Sequence, residues 1–154
     1  MTLKDIYTIA GYSGLFKYVA QGRNGIIVEG IEDKKRMNAF ATMKVSSLGD
    51  ISVFTQTGDI PLIDILKRIR EKENSNPGPE TKDPKVLQVY FESILPEYDK
   101  ERVHQSDIKK IVSWYNLLQK NNLLGVLDEE EKTDVTEEKE EKKTTEDQGK
   151  EEKS

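Results

Sequence analysis

The chain has 154 residues, with 24 Lys or Arg against 29 Asp or Glu, a single His and no Cys. That length suits one ordinary domain or two very small ones. The missing Cys removes disulfides, thiol nucleophiles and thiolate metal sites, and the lone His104 removes paired-His zinc sites.

The net charge of −5 is unevenly distributed, because residues 128–154 carry 13 Asp or Glu against 6 Lys while residues 1–127 are at +2. The opening run MTLKDIYTIAGYSGLF does not read as a secretory signal, because Asp5 interrupts it. No apolar run approaches the ~18 residues of a membrane span. A soluble cytoplasmic protein without membrane association is the expectation.

Residues 1–73 read as a mixed α and β module. Leu3–Ala10 is expected to form a helical turn or two, closed by Gly11. Leu15–Gln21 reads as a strand, Asn24-Gly25 as a tight hairpin turn, and Ile26–Ile31 as a second strand. Arg36–Ala41 and Ile51–Thr55 complete a set of four, with a short extra stretch of strand between them. Such strands on tight turns predict a strongly bent, small SH3-like β-barrel within an α+β fold. Leu15 and Val19 oppose Phe16 and Tyr18, so both faces carry apolar groups and one requires a cover. The next helix supplies it: Pro61 suits a first helical position, and Leu62, Ile65, Leu66 and Ile69 have helical spacing.

Residues 74–82, with two Pro and one Gly among polar residues, read as a linker. Residues 83–127 read as a helical hairpin. Asp83-Pro84 is a cap followed by a first-turn proline, and Leu87, Tyr90, Phe91 and Ile94 form a stripe that ends at Leu95-Pro96. Ser106 is expected to cap the last helix, whose stripe is Ile108, Ile111, Val112, Tyr115 and Leu118, with Asn121-Asn122 as its stop. Residues 128–154 contain one aliphatic side chain, Val135, and are expected to be a disordered acidic tail.

The segments GLFKYVAQGRNGIIVEGIEDKKR, KVSSLGDISVFT and LPEYDKERVHQSDIKKIVSWYNLL resemble a family of small bacterial proteins known as a domain of unknown function. The resemblance runs from about Leu3 to Leu124, excluding the linker. It implies an N-terminal SH3-like β module, a C-terminal helical module and a cytoplasmic protein, and it implies no cofactor.

Chemistry-bearing residues are sparse. Lys34-Lys35-Arg36, joined by Arg23 of the preceding turn, could neutralise phosphates, with Tyr12 or Tyr18 as stacking partners. The alternative is a solvated turn balanced by Glu32 and Asp33. The GxxG at Gly11–Gly14 links a short element to a strand and reads as a plain turn. His104, Ser106 and Asp107 have hydrolase residue types without a nucleophile-elbow signature. Trp114-Tyr115 reads as core, with a partner-binding anchor as the alternative. The expected function is a non-enzymatic interaction or scaffold module that binds another protein, with RNA or DNA binding through Arg23, Lys34, Lys35 and Arg36 as the alternative. No catalytic residue, metal or cofactor is expected.

Overall fold

A computed structural model describes residues 1–129. Its first elements differ from the expected helix. Leu3–Asp5 is one 3-10 turn, in which Thr2 Oγ1 accepts the Lys4 N–H at 3.3 Å and the Asp5 carboxylate accepts the Thr2 N–H at 2.9 Å. Ile6–Ile9 is then a strand, β1. Two Ile, a Thr and a Tyr in four residues resist helix and favour a pleated surface.

Strand β2 (Phe16–Gln21), β3 (Gly25–Gly30) and β4 (Arg36–Phe40) follow as antiparallel neighbours. Then β5 (Val45–Ser47) returns to pair with β1, giving the order β4-β3-β2-β1-β5. The expected barrel does not close: β4 and β5 are the two edges of an open sheet. The physical cause lies at Ser47, whose hydroxyl donates to the Lys4 carbonyl at 2.8 Å and accepts the Gly49 N–H at 3.2 Å. That cap stops β5 after three residues and starts a 3-10 turn at Leu48–Asp50.

The strand expected at Ile51–Thr55 therefore belongs to a second sheet. There β6 (Ser52–Thr55) pairs with β7 (Gly58–Pro61), a strand whose Gly, Asp and Pro conceal it in the sequence. Helix α1 runs from Leu62 to Glu73, α2 from Pro84 to Ile94 and α3 from Gln105 to Lys120. Pro61 stands just before α1 as its N-cap and not inside its first turn. Asp83 caps α2 as expected, accepting the Lys85 N–H at 3.0 Å. Ser106 does not cap α3: the cap lies two residues earlier, at His104, whose N–H donates to the Asp107 carboxylate at 3.0 Å. A 3-10 turn at Leu124–Leu127 ends the described fold.

Two apolar clusters hold these elements. In the larger one, Leu3, Ile6, Leu15 and Ile31 join Leu62, Ile65, Leu66 and Ile69 of α1. Phe91, Tyr98, Tyr115 and Leu127 belong to the same cluster, so it runs from the first turn to the last. The smaller one comprises Ile9, Phe16, Val28 and Ala39 on the other face of the five-stranded sheet, with Tyr7, Met37, Met43 and Val45 packed around it. The larger cluster thus takes Ile6 from β1 and Leu15 and Ile31 from beside β2 and β3, while the smaller one lies on the strands themselves. Of the expected acidic tail only Asp128 and Glu129 are described; residues 130–154 lie outside the described residues. No helix among the described residues is long and apolar enough to cross a membrane.

Candidate functional site

The cationic turn is tightly built. The Gly30 N–H donates to the Lys35 carbonyl at 2.8 Å, the Lys34 N–H to the Gly30 carbonyl at 3.0 Å, and the Lys35 N–H to Asp33 Oδ1 at 3.0 Å. This forces Lys34 into the left-handed region, at φ 61°. Lys34, Lys35 and Arg36 are all exposed, but their charges are not equally available. Arg36 Nε meets Glu29 Oε1 at 3.2 Å across the β3–β4 ladder. Glu32 is drawn to the end of α3, where Lys120 Nζ lies 3.3 Å away and Asn121 Nδ2 donates to it at 3.3 Å.

Arg23 sits in the β2–β3 turn, at the opposite end of β3. Six residues of strand place the two turns roughly 20 Å apart. The structure therefore brings Lys34, Lys35 and Arg36 together and leaves Arg23 out. Tyr12 and Tyr18 are partly exposed, and Tyr12 meets Phe16 edge-on at 6.3 Å. Gly11 and Gly14 both have positive φ, 88° and 87°, in the turn from β1 to β2. His104 and Asp107 form the start of α3, and Ser106 lies exposed in its first turn.

A concave surface lies on residues that the sequence presents as a linker. Asn74 and Ser75 adopt positive φ, 54° and 66°, and turn the chain out of α1. The following strap is then held against α3. Asn116 Oδ1 accepts the Gly78 N–H at 2.7 Å while its Nδ2 donates to the Pro79 carbonyl at 3.1 Å. The Tyr115 hydroxyl donates to the Asn76 carbonyl at 2.8 Å, and Gln119 Nε2 to the Ser75 carbonyl at 3.4 Å. Behind the strap, the Tyr90 hydroxyl donates to Glu73 Oε2 at 2.5 Å. Burial first, and then that bond, push the Tyr90 phenol far above its usual range.

Beyond these bonds the strap stands away from the helix and walls a groove of about 530 Å³. Leu87, Val112 and Leu117 form its floor, Pro77 and Pro79 its wall, and Lys82, Lys109 and Lys120 its cationic lining. A neighbouring hollow of about 320 Å³ shares Ser113 and Leu117 with it and reaches Gly30–Asp33 of the cationic turn. A smaller apolar hollow, about 170 Å³, lies between β6 and α3 beside Trp114, where the Arg102 guanidinium stacks 4.8 Å from the Phe54 ring centre. Tyr115 is core, whereas Trp114 is only partly buried. The groove had one sequence signal, Asn116: an Asn in mid-helix competes with the helical backbone unless its amide has other partners.

Residues 3–48 match a family model described as domain of unknown function DUF5606, and residues 51–118 match domain of unknown function DUF6852. Comparison with curated proteins gives no match. Among solved structures, the chain is similar to a solution NMR structure from Bacteroides vulgatus, a Northeast Structural Genomics Consortium target. The two share 42% sequence identity at a TM-score of 0.63, over 79% of this chain and 89% of that one.

Proposed function

We propose that this chain, which belongs to the same family as the Bacteroides vulgatus protein, is a non-enzymatic, bacterial, cytoplasmic interaction module that docks a segment of another protein. The observation that carries this reading is the groove along α3, apolar on its floor and walled by a strap that α3 itself fixes in place. A preformed concavity avoids part of the ordering cost of association. The non-enzymatic part is supported by the use of His104 and Asp107, two residues of hydrolase type, at a helix start.

The test is affinity capture from an extract of the source organism with the full chain and with Ser113→Phe. Ser113 is exposed and lines the groove, so Phe fills it without entering the core. A partner retained by the wild type and lost with Ser113→Phe is expected. Recovery of the same proteins by both chains, or of none, rejects the reading.

A second reading, nucleic-acid binding through Lys34 and Lys35 with Arg36 and Arg23, is favoured by the exposure of the two lysines. The +2 net charge of residues 1–127 gives it little long-range support. Salt-sensitive binding of RNA or DNA that disappears with Lys34→Glu would favour it over docking.

A further inference from the structure

We infer that the occupant of the groove is an acidic, extended peptide segment of another protein, with an apolar side chain at its centre; this rests on the docking reading above. Three observations combine. The lining carries Lys82, Lys109 and Lys120 against a single carboxylate, Glu80. Lys120 is shared with Glu32 at 3.3 Å, whereas neither Lys82 nor Lys109 is in an ion pair among the described residues. Two exposed ammonium groups therefore flank an apolar floor of Leu87, Val112 and Leu117, and that pattern is complementary to acidic residues around an aliphatic or aromatic one.

Length suits an extended form. From Lys109 to Lys120 the helix rises about 16 Å, which five or so residues of extended chain would span. The proline wall, Pro77 and Pro79, offers apolar ring faces without N–H donors, so it favours side-chain packing over strand pairing.

The probe is a fluorescein-labelled peptide of about ten residues, with a central Leu-Pro-Leu flanked by Asp and Glu, titrated with the full chain and read by anisotropy. Saturable binding is expected, weakened at least about tenfold by Lys82→Glu combined with Lys109→Glu. Ser113→Phe abolishes it, and Lys34→Glu, outside the groove, leaves it unchanged. Equal binding of a probe with Lys in place of Asp and Glu overturns the proposal, as does insensitivity to the groove variants or no binding at all. Self-association that Ser113→Phe removes would assign the groove to a second copy, and carbodiimide crosslinks from Lys82 or Lys109 to residues 130–154 would assign it to the chain's own acidic end; either overturns it. If Ser113→Phe loses a captured partner while the acidic probe fails to bind, docking stands and the acidic class falls. If both fail, the docking reading falls as well.

Discussion

Asn116 and Gly78 are 38 residues apart and joined by a 2.7 Å hydrogen bond, from the glycine N–H to the asparagine Oδ1. The same amide donates to Pro79 at 3.1 Å, so one side chain satisfies a buried backbone donor and a neighbouring acceptor. Asn116→Ala is expected to cost about 1–3 kcal/mol, the range for leaving a buried polar group without its partner. Urea unfolding gives the magnitude, and amide exchange at Gly78 gives the location. Unchanged protection of that amide would mean the strap is held by other bonds. Gly78→Ala is the control: its Cβ would meet Asn116 Oδ1 at 3.4 Å and the Tyr90 hydroxyl at 3.5 Å, ordinary contacts that predict a small effect.

Gly25 presents the opposite case. A Cβ there would run into the Ala39 carbonyl on the paired strand β4. Gly25→Ala is expected to destabilise by more than about 2 kcal/mol, since backbone on a neighbouring strand must move. Thermal unfolding measures it; a melting temperature equal to the wild type's would contradict the close approach.

Leu3 and the α1 stripe share one cluster although the two family models divide the chain between residues 48 and 51. Leu3→Ala is expected to cost about 2–5 kcal/mol as a buried large-to-small change. Because the core is shared, the loss appears equally when unfolding is followed by Trp114 fluorescence, a reporter on α3. Two separated transitions would show that the halves unfold independently.

Tyr90 and Asp128 give opposite pH signatures. The phenol of Tyr90 is raised, first by burial and then by its bond to Glu73, so its contribution is full below the ordinary phenol value of ~10 and declines as pH rises past it. Tyr90→Phe should remove that alkaline component of the stability profile. Asp128 is lowered, first by its hydrogen bonds with Arg70 at 2.9 and 3.0 Å. Its contribution is present above the usual carboxylate value of ~4 and is lost as pH falls through the depressed one. Asp128→Asn should therefore melt below the wild type at neutral pH, by a margin that shrinks as the pH falls through the depressed value. A constant difference across that window would remove the ion pair as its cause.

Much of this fold is legible because its signals are local. Asp83-Pro84 starts α2, and the α1 and α3 stripes are buried at the spacings that the sequence shows; a tight turn does join β2 to β3, but at Arg23-Asn24, with Gly25 already in β3 and no positive φ at Asn24 or Gly25. What the sequence hides depends on distant partners. Ser47, at the end of β5, bonds to Lys4, 43 residues away, and the sheet stays open with β5 at one edge. The strap reads as a linker because Pro and Gly mark irregular chain whether it is loose or clamped. Its clamp, Asn116, signals as a mid-helix Asn that its amide has partners, but which partners emerges only once the strap is placed. Of the cations, proximity in sequence recovers Lys34, Lys35 and Arg36 but cannot show that Glu29 already holds Arg36 or that β3 carries Arg23 away.

The two apolar clusters also imply an order of unravelling. Edge strand β4 pairs only with β3, and its one fully buried side chain is that of Ala39, which anchors it to the smaller cluster. So little buried area sets a low local opening energy, well under that of the core helices. Amide exchange should therefore begin in β4 and advance toward β3, while α1 and α3 remain protected. The hinge of that opening is the turn that carries Lys34 and Lys35, so these cations sit where the molecule breathes first.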